Sequence, residues 1–439
     1  MKRHLTLLAC VVLSSAALMA RDINVAAIDS FINHIEMHNQ GMGEVAIAHG
    51  NRIIYNRSFN KQAVAPDNGK YRIGSISKLF TATLIHRLCD RGDISLDTTL
   101  DNYYPHFPTA HRITLRHMLN HTSGLKDYTI KQDTLAMWLT EEASEREILD
   151  EIIRQGTLFA PGENQRYSNT AYYLLRRIIE RSYGMPFAAV VEREILTPLH
   201  MSNTHVAIAG VDKAARPYRI NTANCWQEVT DFYFPNVVGV GDIISTPTDL
   251  ITLITALYDG TLGSDITTRM QPLEGEAFGL GLMLFPFYEH TYYGHAGDTY
   301  GSHTIVMHNP TDSITIALCL NGCSTPRNDY LIAICSALYD YEYTFPDYSM
   351  LQQYTAPAHE LAQYAGTYNT TVAHLPMHIS YNEADGNLSL RIDGQPSLWL
   401  EAKSPGVFVN TPTGVAISFR DPNHFLFKQF GRILNYTRE

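Results

Sequence analysis

The chain has 439 residues, more than one typical domain holds and enough for a large core with a smaller module beside it. Its 45% hydrophobic and 18% charged content is ordinary for a folded protein and excludes a disordered one. A formal net charge of −11 excludes the basic footprint of a nucleic-acid binder, so no nucleic-acid partner is expected.

Lys2, Arg3 and His4 precede an apolar run from Leu5 to Met19 that ends in small residues near Ala20. This is the pattern of a secretory signal peptide over residues 1–20, with a core too short for a comfortable membrane span. Losing Lys2 and Arg3 moves the formal charge from −11 to −13. Leu7-Leu8-Ala9-Cys10 faintly resembles a lipoprotein cleavage box but lies inside the apolar core, so no lipid anchor is expected. No later stretch reaches the ~18 uninterrupted apolar residues of a spanning helix. The expected product is soluble and exported, periplasmic or extracellular. Five of the six cysteines lie beyond the leader, an odd number at irregular spacing and no disulfide framework. Cys319 and Cys323 form the one close pair, with no His or Cys cluster beside them, so neither a metal nor a cofactor is expected.

Val25 to Gln40 carries Ile28, Phe31, Ile32 and Ile35 at helical spacing. Glu44 to His49 and Arg52 to Phe59 alternate on either side of Gly50-Asn51, the pattern of a β-hairpin. From Ser75 to about Pro247 the chain reads as mostly helical. Ser75 to Arg91 is closed by Gly92, and Asn169 to Ser182 by Gly184. Strands are predicted again at Phe278 to Phe285, Thr291 to Tyr293, Ser302 to His308 and Ser313 to Leu320, then a helix from Arg327 to Tyr341. The hairpin plus three later strands, with a helical insertion between, predict an α+β unit over residues 21–344: one antiparallel sheet covered by helices. Residues 345–359 carry two prolines and no periodicity, and read as a linker. Residues 360–439 read as a small all-β barrel or sandwich. There Leu388, Leu390 and Ile392 alternate with polar residues, as do Val415, Ile417 and Phe419, and Asp385-Gly386 and Asp393-Gly394 mark turns.

Ser75-Ile76-Ser77-Lys78 is a Ser-x-x-Lys at the start of a helix, where one turn puts hydroxyl and ammonium on one face. Serine is a poor nucleophile until something accepts its proton, and a neighbouring cation stabilises the developing alkoxide. Ser58-Phe59-Asn60-Lys61 matches the same pattern at a strand end and lacks the helix, so context singles out Ser75. Tyr167-Ser168-Asn169 follows Pro161-Gly162 and opens a helix. A free tyrosine has a pKa near ~10, so Tyr167 needs a cation such as Lys78 close by to act as a base. Asn169 is expected to orient Lys78 or to hydrogen-bond a substrate carbonyl. Gly294-His295-Ala296-Gly297 follows an apparent strand, and Gly297 is expected to let a substrate backbone approach its edge. Asp298 offers a backbone N–H to an oxyanion, with the N–H of Ser75 as second donor.

Together these elements resemble the β-lactamase-related serine hydrolases. Tyr71-Arg72-Ile73-Gly74-Ser75-Ile76-Ser77-Lys78 is similar to the nucleophile segment of class C β-lactamases, D-Ala-D-Ala carboxypeptidases and their esterase relatives. The run from Ile113 to Leu125, which contains His117, His121 and Ser123-Gly124, is similar to that family's most recognisable non-catalytic stretch. Phe159-Ala160-Pro161-Gly162 and the run from Gly239 to Thr246 resemble two more of its segments. The resemblance covers about residues 25–341. It implies a β-lactamase/transpeptidase-like fold, an acyl-enzyme on Ser75, proton transfer by Tyr167 with Lys78, and an oxyanion hole at Ser75 and Asp298. The carboxy-terminal module is loosely similar to lipocalin-like barrels attached to some peptidases of the family.

The Lys-Thr-Gly or Lys-Ser-Gly of penicillin-binding members is absent, and His295-Ala296-Gly297 takes its place. Lysine is a fixed cation, whereas His is mostly neutral at pH 7. Asp298 adds an acid beside the oxyanion hole, which is expected to disfavour anionic substrates. The expected substrates are small molecules or short peptides, cell-wall peptides among them: D-residue peptides and short esters equally, β-lactams behind. The contrasting reading is an inert penicillin-binding-like scaffold that keeps the fold.

Overall fold

A computed structural model describes residues 23–60, 69–130, 140–207, 214–220, 225–348, 354, 356–372, 376–383, 386–392, 397–410, 413–429 and 432–439. The expected leader, Lys61 of the second Ser-x-x-Lys, Asp385 and the Asp393-Gly394 turn lie outside them.

The first helix, Val25–Met37, is capped by Asn24, whose side chain accepts from the Ala27 N–H, and it buries the expected stripe of Ile28, Phe31, Ile32 and Ile35. That stripe packs on a sheet formed by the hairpin Gly41–His49 and Arg52–Phe59 with Ile314–Cys323, His303–Asn309, His290–Asp298 and Met283–Phe287. In space the strands run Arg52–Phe59, Gly41–His49, Ile314–Cys323, His303–Asn309, His290–Asp298, Met283–Phe287, all antiparallel. Four later strands join the hairpin, one at each of the four predicted segments, where the sheet expected from sequence took three of them. Period-two alternation divides the core: Val45 and Ile47 face the first helix and the helix Arg327–Tyr339, while Ala46 and Ala48 face the helical insertion.

The insertion holds more strand than its sequence predicts. Tyr71–Arg72, Ile243–Ser245 and His205–Val206 form a small sheet, and Tyr218–Ile220 pairs with Trp226–Glu228. Strands of two or three residues are too short to show a period. The predicted strand at 278 starts at Met283, with Phe278 joined to that residue by an isolated bridge, whereas the strand seen at 291–293 extends over His290–Asp298.

The carboxy-terminal region is a closed barrel of eight antiparallel strands, sealed by Gly366–Asn369 against Arg432–Arg438. Its interior is filled by Leu388, Leu390, Ile417, Phe408, Phe425 and Tyr436. The expected linker is partly structured: the Phe345 ring lies 5.7 Å from that of Phe31, and a short helix, Ala358–Gln363, takes in its last residues. Among the described residues no helix is long and apolar enough to cross a membrane.

Candidate active site

Gly74 turns the chain into the nucleophile helix at φ +50°, which a glycine adopts without penalty. A Cβ there would stand 2.8 Å from the backbone nitrogen of Asp298, so the glycine brings Ser75 against the end of the strand His290–Asp298. A 3-10 turn, Gly74–Ile76, carries Ser75, and the α-helix proper begins at Ser77. One turn on, the buried Lys78 Nζ donates to Ser75 Oγ at 2.9 Å and to the Val240 carbonyl at 2.9 Å. Burial pulls the Lys78 ammonium down to about 7, against the opposing pull of Asp127 and Asp242. Such a lysine exists substantially as the neutral amine at pH 7 and can accept the Ser75 proton.

The Tyr167 ring lies 4.9 Å from Lys78 Nζ, so the expected pair does meet. Its electrostatics are the reverse of those expected. Burial raises the phenol well above 10, against a smaller downward pull from its hydrogen bond with Ser75. Tyr167 therefore rests protonated and can give or relay a proton, while Lys78 holds the base character. His121 packs its ring 4.3 Å from that of Tyr167, and its Nδ1 accepts from the Ser168 N–H at 3.2 Å. Burial first, then Lys78, pushes the His121 imidazolium well below 6.5. With Nδ1 accepting, the neutral ring carries its proton on Nε2.

Asn169 Nδ2 donates to Asp127 Oδ2 at 2.9 Å, and the Asn169 backbone N–H to the same oxygen at 3.2 Å. Asp127, not Ser168, thus caps the helix Asn169–Tyr183. Among the described residues no hydrogen bond joins Asn169 to Lys78, which is anchored by Val240 instead. Asp127 and His121 are two positions at the site that sequence reasoning missed. Their partners lie 42 and 47 residues away, a separation that leaves no local pattern.

The strand Met283–Phe287 pairs with residues 290–294 only, so on that side residues 295–298 present a free edge. His295 is buried, with Nδ1 2.6 Å from the Ala296 carbonyl. A carbonyl only accepts, so Nδ1 carries the hydrogen and Nε2 is a bare acceptor. Burial and then Lys78 lower the His295 pKa to about 3, which makes the ring neutral at pH 7. Gly297 also has a packing reason for its missing Cβ. A Cβ there would lie 1.9 Å from the Ile73 carbonyl and 2.7 Å from Thr304 Oγ1, so the glycine admits the nucleophile segment. The Asp298 carboxylate accepts from Arg327 Nη1 at 2.8 Å and from His303 Nδ1 at 2.8 Å. Burial opposes its ionisation, but Arg327 and His303 prevail and hold it at about 2. An acid with a guanidinium beside it repels anions less than the bare Asp298 expected from sequence. Around these groups runs a cleft of about 290 Å³ whose walls include Phe232, Val237, Phe278 and Tyr300.

A buried lysine bonded to a serine hydroxyl, with a protonated tyrosine beside it under one antiparallel sheet, defines a member of the serine hydrolase superfamily. The chain belongs to the β-lactamase family, whose profile matches residues 31–333. It is similar to penicillin-binding protein 4* of Bacillus subtilis (strain 168), at 31% identity over 241 residues, 50% of this chain and 53% of that protein. It is also similar to esterase EstB of Burkholderia gladioli, at 29% identity over 229 residues, 47% of this chain and 56% of the esterase. The chain thus spans little more than half the length of these curated relatives. Two solved structures share its fold. D-amino acid amidase from Ochrobactrum anthropi SV3, complexed with L-phenylalanine amide, has a TM-score of 0.63 at 23% identity, over 72% of this chain and 99% of that one. SurE has a TM-score of 0.60 at 21% identity over 95% of this chain and 99% of its own, so its likeness extends through the barrel.

Proposed function

We propose that this protein is a serine hydrolase that acylates Ser75 and cleaves amide or ester bonds in small molecules or short peptides. The observation that carries the reading is the 2.9 Å contact between Lys78 Nζ and Ser75 Oγ inside a buried pocket. Neutral Lys78 takes the Ser75 proton as Oγ attacks the substrate carbonyl carbon. The resulting oxyanion is held by the N–H groups of Ser75 and Asp298. Tyr167 passes a proton to the departing amine or alcohol, and the carbonyl re-forms as the acyl-enzyme. Water then adds to the ester, again giving its proton to the Lys78–Tyr167 pair, and Ser75 is released.

The bare Nε2 of His295 suits a substrate N–H or ammonium better than a carboxylate. D-residue peptides, cell-wall peptides among them, and short esters are therefore placed ahead of β-lactams. An inert scaffold has less support, because a lysine held near 7 against a serine is costly to bury and idle without catalysis. Export to the periplasm or outside is part of the same proposal, on the pattern of residues 1–20. The test is kcat/KM for a nitrophenyl ester, a D-alanyl anilide and benzylpenicillin. The ester and anilide should exceed the penicillin. A penicillin hydrolysed best contradicts the substrate order, and no turnover of any of them contradicts the proposal.

A further inference from the structure

The strand Asn387–Ile392 alternates strictly: Leu388, Leu390 and Ile392 enter the barrel core, which leaves Arg391 on the outer wall. That outer wall is also a wall of the cleft. Arg391 and Ser397 line the same space as Ser75, Tyr167 and His295, more than 200 residues earlier in the chain for the first two. The barrel is tied down beside this point. The Arg219 guanidinium lies 3.8 Å over the Trp399 ring. Trp399 is two positions from Ser397, so the barrel face at the cleft is positioned by packing.

Charge decides what that face can do. Arg327 also lines the cleft, but Asp298 pairs with it at 2.8 Å. Among the described residues no carboxylate pairs with Arg391. His295 presents a neutral acceptor, and the strand that carries it has no lysine. The cation left for a substrate anion therefore comes from the barrel. A guanidinium forks onto a carboxylate through two parallel N–H bonds, which an ammonium cannot match.

We propose that Arg391 is a specificity-determining residue: it binds a carboxylate remote from the scissile carbonyl, and the substrate is a short peptide with a free terminal carboxylate. The inference rests on the acyl-transfer reading of the cleft. It also gives the barrel a task, the completion of the substrate site from a second domain.

The experiment compares kcat/KM for a short D-residue peptide with a free carboxylate and for its terminal carboxamide. It uses wild type, Arg391→Ala and Arg391→Lys, with a nitrophenyl ester run on wild type. Wild type should favour the carboxylate by about 10- to 100-fold, the worth of a charge-assisted hydrogen bond. The ratio should fall toward one in Arg391→Ala, mainly through KM, and recover in part in Arg391→Lys. Because each ratio is internal to one protein, loss of folded enzyme does not mimic the effect. A wild-type ratio near one with brisk ester turnover overturns the role of Arg391 and leaves the Ser75 site standing. A ratio unchanged in Arg391→Ala has the same meaning. No turnover of ester or peptide overturns both.

Discussion

The ring of Tyr167 lies over the Lys78 ammonium at 4.9 Å, yet the two groups are pushed in opposite directions by the burial they share. A buried phenol is held protonated because its anion loses hydration, and a buried ammonium is driven toward the amine for the same reason. One dry pocket thus makes a base of the lysine and an acid of the tyrosine.

Tyr167→Phe removes only the hydroxyl and keeps the ring against His121. The loss expected is about 10²- to 10⁴-fold in kcat, the usual worth of a positioned proton donor. Unchanged kinetics would make Tyr167 a packing residue and leave Lys78 to move every proton.

The pH profile tests the base. Lys78 is lowered to about 7, so it binds its proton below that pH and is competent above it. The kcat/KM should therefore rise with pH through an acid limb near neutrality. Asp242, itself raised to about 7 by burial despite the Gly239 N–H, helps to hold the proton on Lys78. Asp242→Asn removes that negative charge and should shift the limb to lower pH. A limb that stays in place in this variant contradicts the assignment of Lys78 as the titrating group.

Replacing His295 with Lys puts at the strand edge an amine that takes up a proton when a substrate carboxylate binds beside it. A charge-assisted hydrogen bond to a carboxylate contributes about 1.5–3 kcal/mol, roughly ten- to a hundred-fold. The variant should shift the ratio of specificity constants toward benzylpenicillin, whose carboxylate sits next to its lactam nitrogen, and away from the D-alanyl anilide. An unmoved ratio would mean that this strand does not choose the substrate.

Ser75 and Lys78 were legible in the sequence because their partnership is local: three residues apart on a helix is one turn, and Gly74 before them marks a tight approach. The six-stranded sheet was legible through alternation, whereas the two- and three-residue strands of the insertion carry no period. Asp127 was not legible, since its value lies in capping a helix that begins 42 residues later. The packing need for Gly297 was not legible, since the contact that requires the missing Cβ is with Ile73, a neighbour only in the folded chain. Arg391 reads in sequence as one outward residue of a barrel strand, and its place at the cleft shows only in the folded chain, where Trp399 nearby packs on Arg219.

Covalent labelling of Ser75 tests the central claim most directly. The protein is incubated with a fluorophosphonate, digested, and the adduct located by mass spectrometry in wild type, Ser75→Ala and Ser58→Ala. Ser58 lies in the strand Arg52–Phe59, opposite Glu44, and not on a helix. The expected result is one adduct on the Ser75 peptide in wild type and Ser58→Ala, and none in Ser75→Ala. An adduct elsewhere, or label that persists undiminished in Ser75→Ala, contradicts the assignment of Ser75 as the nucleophile.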